Sequence, residues 1–297
     1  MSEVETRDYA TDWDNTVTPH DSGYLLMQAA ADYEGEFQYI PDSISEETLP
    51  NNGEFDQNQF EELVEAVDED MPRGHSNQLV TFLYHNPEFA EYAEEKRHDL
   101  DIPSRTGFEA FLEYRAQQDA LNILSTAGYH PVAKAQTNGH FKDIIAGDFN
   151  HQDQERFYNG QGEKRDNLQQ FYNEELQRDP QELVYTGDSN GDIEAIRLAH
   201  ETDGFGVAVG PTVERAREKV DEATLYVGDS NPEHHTTGWV LNQLTMPGNP
   251  ASIEELVQLG LDKPEGRVVA GELADGEKED EIEDVRQYLE GVRQSFE

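Results

Sequence analysis

The chain has 297 residues, 64 acidic and 21 basic, for a formal charge of −43, and 35% of it is hydrophobic. That length can bury a core in one large domain or two modest ones. The shortage of Lys and Arg argues against nucleic acid or an anionic membrane surface as main partner, and the absence of cysteine excludes disulfides, thiolate metal sites and cysteine nucleophiles.

No apolar stretch approaches the roughly 18 residues of a membrane span, and the start, MSEVETRDYATDWD, lacks a signal-peptide layout. A soluble, cytoplasmic protein is expected. Acidic residues run from end to end, and only seven lysines stand beside fourteen arginines. At ordinary salt such a chain repels itself, whereas at about 1 M salt the screening length falls to roughly 3 Å. The composition resembles that of proteins from extreme halophiles, which concerns solvent and not function.

In chain order, residues 8–12 read as a short strand, cut by the turn-prone Asp14-Asn15 and by Pro19. Residues 20–106 are acidic and helix-like, with apolar sets such as Phe60, Leu63, Val64, Val67 and Leu79, Val80, Phe82, Leu83. A strong helix is predicted over 107–127, then a strand over 130–136 that stops at Thr137-Asn138-Gly139. A helix over 163–176, a strand over 183–186, a polar turn over 187–192 and a helix over 193–200 follow. Two further strands fit 205–209 and 223–227. Alternating strands and helices predict an α/β fold, a Rossmann-like parallel sheet with helices on both faces. Ser252 with Glu255 forms a capping box for another helix. Beyond Gly276 a charged helix and a solvated tail read alike.

Four polar clusters follow one another. Asp12-Trp13-Asp14-Asn15-Thr16 comes after the first strand, and Thr137-Asn138-Gly139 after another. Lys164 opens a helix, and Gly187-Asp188-Ser189-Asn190-Gly191-Asp192 follows a third strand. Each falls where a parallel sheet presents the carboxyl ends of its strands, the edge where ligands bind.

The pattern resembles the haloacid dehalogenase-like superfamily of phosphotransferases. Its four motifs are D-x-D-x-T, a Ser or Thr after the second strand, a Lys, and an acidic pair such as G-D-x-x-x-D. The 24 residues from Lys164 to Asp188 suit that layout. The resemblance covers about residues 8–230, with 20–106 matching only as an insertion. It implies a catalytic core of residues 1–19 and 107–262, a helical cap of 20–106, and an acidic helix or tail over 263–297.

By that resemblance Asp12 is the nucleophile, forming an aspartyl-phosphate, and Asp14 is the acid and base. Asp12, Asp14 through its carbonyl, and Asp188 would hold Mg²⁺, a cation that prefers oxygen ligands, with Asp192 beside them. Thr137, Asn138 and Lys164 would bind the phosphoryl group. The expected reaction is Mg²⁺-dependent hydrolysis of a small phosphorylated metabolite, with oligomeric state left open. A phosphomutase of the same superfamily, or a non-catalytic protein that binds metal or phosphate, stays open as an alternative.

About 120 residues separate the first two motifs, and 26 lie between Thr137 and Lys164. An insertion placed there resembles the caps of enzymes acting on small soluble phosphates, where a cap excludes water and reads the substrate. Arg73, His75 and Arg105 stand out as cations in an acidic segment, and His20 follows the first motif. Two other features fit less well. Gly228-Asp229-Ser230 repeats the acidic motif but has Glu233 four residues on and lies 65 residues past Lys164. His234-His235 are neighbours in sequence, which rarely face one ion.

Overall fold

The sheet is built on β1 (Tyr9–Thr11), three residues buried on both faces. The computed structural model describes residues 6–40, 49, 57–65, 74–105, 108–137, 139–228, 241, 245 and 268–271. Beside β1 lie β2 (Asn122–Tyr129), β3 (Asp143–Asn150), β4 (Glu155–Phe157), β5 (Val184–Gly187), β6 (Phe205–Gly210), β7 (Leu225–Gly228) and β8 (Val268–Gly271). Their order is β4-β3-β2-β1-β5-β6-β7-β8. The six central strands are parallel, and β4 and β8 close the two edges antiparallel. The α/β reading of the sequence holds. Part of the expected C-terminal helix or tail is instead the edge strand β8.

Side chains alternate across the sheet, as a two-residue repeat requires. Tyr9, Leu124, Val184, Val207, Val209, Leu225 and Val227 enter one core, with Phe108, Phe111 and Leu112 of α5 (Phe108–Gln117). Ala10, Ile123, Tyr185, Ala208 and Tyr226 face the other way, towards residues of α7 (Glu163–Phe171), α8 (Ile193–Glu201) and α9 (Val213–Lys219).

Residues 20–106 supply α1 (Ser22–Ala29), α2 (Gln57–Glu65), α3 (His75–His85) and α4 (Pro87–Lys96). These gather a third apolar cluster of their own, around Leu26, Met27, Phe60, Leu79, Phe82, Leu83 and Phe89. Tyr129 of β2 and Val132 of α6 (His130–Gln136) join it from the sheet side. Gly147 of β3 lets α3 approach closely, since a Cβ there would sit 2.9 Å from Val80.

Two predicted elements are corrected. The helix expected over 107–127 ends at Gln117, and its second half is the strand β2. Arg115 ties the helix end to the strand start: fully buried, it binds Asn122 Oδ1 at 2.7 Å through Nε and the Leu121 carbonyl at 2.7 Å through Nη2. Asp119 then takes a left-handed φ of 55°, which turns the chain. The strand expected over 130–136 is the helix α6, started by Pro131 in its first turn. Strand β3, between this helix and α7, had no sequence assignment, nor had α9.

Among the described residues, no helix is long and apolar enough to cross a membrane. Asp229, Ser230, His234, His235 and the Ser252–Glu255 capping box lie outside the described residues.

Candidate active site

From β1 the chain builds the sheet outward through β2 and β3, then returns to add β5 on the other flank. Loops leaving β1 and β5 therefore part in opposite directions and open a crevice at their carboxyl ends. Asp12 stands there, its N–H donating to the Thr186 carbonyl of β5 at 2.8 Å. Asp188 follows β5 and accepts from the Thr16 hydroxyl at 3.4 Å. Asp12, Asp14, Lys164 and Asp188 all line one cavity of about 500 Å³.

Lys164, on the first turn of α7, is 1% exposed. Its Nζ lies 3.1 Å from Asp12 Oδ1 and 2.6 Å from Asp192 Oδ1. Burial alone would lower the ammonium's pKa, but the carboxylates of Asp12 and Asp192 outweigh it and hold the pKa above its ordinary value. Asp192 braces this arrangement. Its Oδ1 also accepts from the Tyr185 hydroxyl at 2.8 Å. Its Oδ2 accepts from the Asp188 amide at 3.2 Å and from the Ser189 amide and hydroxyl at 3.1 and 3.0 Å. Gly187 permits this, because a Cβ there would lie 2.2 Å from the Asp192 carboxyl carbon.

Asp14 is held differently. Its carboxylate accepts from the Ser22 amide at 2.8 Å and from the Ser22 hydroxyl at 3.0 Å, at the start of α1. Burial raises its pKa well above the usual carboxylate range, and the charges of Asp21 and Asp12 add to the effect. Burial also pushes Asp12 up to about 6 despite the pull of Lys164. Asp188 is raised by burial and then by Asp12 and Asp192.

This crowding suits a cation. Asp12, Asp188 and Asp192 each offer an oxygen within 4.8 Å of the others. Asp12 Oδ1 is buried and accepts no well-formed hydrogen bond, and hard carboxylate oxygens fit Mg²⁺. Asp192 has both oxygens engaged, so Asp12 and Asp188 are the freer donors.

Thr137 is corrected. It ends α6, where its hydroxyl bonds the Lys134 carbonyl at 3.4 Å, and it is not among the residues lining the cavity. A threonine that does line the cavity is Thr126, in the carboxyl-terminal half of β2, beside Ala127 and Gly128. The β2–β3 pairing slips between Ser125 and Tyr129, and the irregularity brings this stretch to the site. Thr126 Oγ accepts from the Gly128 amide at 3.0 Å, and a Cβ on Gly128 would lie 3.0 Å from Asp14 Oδ2. Fully buried Asn159 locks the region, with Nδ2 donating to the Ile145 and Thr126 carbonyls at 2.8 and 3.0 Å. The signal for Thr126 was a Ser-Thr pair after an apolar run, hidden while that run was read as helix.

Of the expected substrate-reading residues, His75 lines the cavity from the start of α3. Arg105 does not, which corrects that expectation. It is buried, with Nε on the Thr16 carbonyl at 3.0 Å and Nη2 on the Asn15 carbonyl at 3.1 Å, fastening the end of the insertion to the first motif. His20 is exposed and not among the lining residues. Arg73 and Asn138 lie outside the described residues. Asn77, Gly160, Gln161 and Lys219 also line the cavity and were not singled out from sequence.

No curated protein sequence matches the chain. Among solved structures it is similar to the gene product AF1437 from Archaeoglobus fulgidus, at 12% identity over 98% of this chain and 97% of that one, with a TM-score of 0.56. It is also similar to a protein of unknown function from Bordetella pertussis Tohama I, at 15% identity over 73% and 98% of the two chains, with a TM-score of 0.50. At these identities the likeness is one of fold. A family model of haloacid dehalogenase-like hydrolases matches residues 10–197, which run from within β1 past the whole carboxylate and lysine centre. The chain belongs to the haloacid dehalogenase-like hydrolase family.

Proposed function

We propose that this hydrolase is a Mg²⁺-dependent phosphatase acting on small phosphate monoesters. The observation that carries the reading is a buried lysine bridging Asp12 and Asp192, with Asp14 on the same cavity wall. A phosphate dianion repels nucleophiles, so fixed positive charge must meet it first.

Asp12 attacks phosphorus through a carboxylate oxygen, forming an aspartyl-phosphate as the bond to the ester oxygen breaks. Asp14, its proton retained by burial and by neighbouring charge, passes that proton to the departing oxygen. The Asp14 carboxylate then takes a proton from water, which attacks phosphorus and releases inorganic phosphate and Asp12. Lys164 stabilises charge on the phosphoryl oxygens. Thr126, whose Oγ accepts from Gly128, keeps its own hydrogen for one of them. Mg²⁺, held by Asp12, Asp188 and the Asp14 carbonyl, would further neutralise the phosphate when bound.

Residues 20–106 act as a cap. Their separate apolar cluster and the approach of His75 and Asn77 to the cavity support that division from a core of 1–19 and 107–262. The charge of −43 suits a soluble enzyme of a salt-rich cytoplasm. The test is phosphate release from p-nitrophenyl phosphate in molar KCl with Mg²⁺. Turnover is expected, lost in excess EDTA and lowered at least roughly 10⁴-fold by Asp12→Asn. Turnover surviving in folded Asp12→Asn breaks the reading.

A further inference from the structure

β5 carries a buried polar group that packing does not call for. Val184 and Tyr185 alternate across the strand, and Tyr185, fully buried, faces the apolar cluster under α7 and α8. Phenylalanine would fill that place as well; tyrosine adds a hydroxyl that a dry interior must satisfy. Tyr185 pairs with Ala10 of β1, whose small side chain lets the phenol reach past it. The hydroxyl ends 2.8 Å from Asp192 Oδ1 and 3.3 Å from the Ser125 carbonyl of β2, the strand beyond β1. Its one proton belongs to the nearer, charged acceptor.

Asp192 Oδ1 thus has two donors, this hydroxyl and Lys164 Nζ at 2.6 Å. The same ammonium lies 3.1 Å from Asp12 Oδ1, so two carboxylates draw on one charge. Asp192 Oδ2 is engaged by the Asp188 amide and by Ser189, which leaves Oδ1 to the phenol and the ammonium. A buried charge that loses one donor pulls harder on the one that remains. Without the phenol, Asp192 Oδ1 would depend on Lys164 alone and draw it away from Asp12.

Resting on the phosphatase reading, we infer that Tyr185 is a positioning residue. Its hydroxyl takes up part of the Asp192 charge and so keeps Lys164 placed for Asp12 and the phosphoryl group. Tyr185 is not among the residues lining the cavity, so its effect passes through Lys164.

The experiment is a double-mutant cycle on p-nitrophenyl phosphate hydrolysis in molar KCl with saturating Mg²⁺. Wild type, Tyr185→Phe, Lys164→Met and the double variant are compared in kcat and KM, each checked for folding by thermal melting. Tyr172→Phe, which removes another buried hydroxyl from the same cluster, is the control and should keep kcat within about twofold of wild type. Tyr185→Met, an unbranched chain that also lacks the hydroxyl, takes over if Tyr185→Phe does not fold. Tyr185→Phe is expected to lower kcat about tenfold with KM nearly unchanged, the loss typical of a group that orients another. In the Lys164→Met background the same change should cost less than about twofold, since the group it acts through is gone. A kcat near that of wild type, a loss confined to KM, an equal loss in Tyr172→Phe, or the full loss without Lys164 overturns the assignment while phosphatase activity stands. No hydrolysis of any ester by the folded wild type, p-nitrophenyl phosphate included, overturns the phosphatase reading and this assignment with it.

Discussion

The two walls of the cavity are built on opposite physical terms. On the sheet side, Asp12, Lys164 and Asp192 are locked together, and Asp192 alone accepts five hydrogen bonds. On the insertion side the helices rest on an apolar cluster, and the first turn of α3 brings His75, Ser76 and Asn77 to the cavity. Bond-making needs charges whose positions do not change, and mutual pairing fixes them without reorganisation. Recognition needs groups left free for a substrate to satisfy. The contrast is between a wall fixed by mutual pairing of charges and one that rests on apolar packing.

The comparison breaks most visibly at Lys164. Lys164→Met should lower kcat about 10³-fold and destabilise the fold by about 3–5 kcal/mol, since two buried carboxylates lose their cation. Steady-state kinetics and chemical denaturation read both effects. A variant with near wild-type kcat would show that the lysine is only structural.

A smaller effect sharpens the sheet-side wall. Thr126→Ala should reduce kcat/KM by about 10–100-fold, the loss of one donor to a charged oxygen. Thr137→Ala, on the far end of α6, should stay within about twofold by the same reckoning. The reverse ranking in p-nitrophenyl phosphate assays would return the second motif to Thr137.

Salt supplies the smallest effect per residue and the widest spread. Exposed carboxylates repel one another over distances that molar salt screens, whereas the buried centre lies beyond that screening. Thermal melting of the wild type should therefore rise by about 10 °C or more between 0.1 and 2 M KCl, a few kcal/mol for a chain of this size. The gap in melting temperature between wild type and Lys164→Met should stay nearly constant. A flat salt response would separate the acidic composition from any salt requirement.

Much was legible from residues alone because it depends on local patterning. Asp12 and Asp14 follow a short apolar run, and Asp188 and Asp192 follow another, so strand ends and carboxylates appear together in one dimension. Lys164 was legible by spacing. What misled was the stretch from 107 to 139. Leu121 and Leu124 continue the apolar rhythm of α5, while the helix stops where Asp119 turns left-handed and Arg115 is buried against the strand that follows. One wrong boundary then led the reading to Thr137, which is not among the residues lining the cavity, instead of Thr126, which is.

The sequence by itself determined the α/β class, the order of the acidic and lysine motifs, and the presence of a helical insertion. Each follows from short-range periodicity and from which residue types can do the chemistry. Only the tertiary structure decided that Thr126 and not Thr137 meets the site, that Arg105 is a fastener and does not line the cavity, and that Asn77 and Asp14 line one cavity. Those outcomes depend on a slipped strand pairing, a buried guanidinium and the close approach of Asn77 to Gly160, contacts between residues up to 90 positions apart. No local pattern encodes them, because each partner looks ordinary until the fold brings the other beside it.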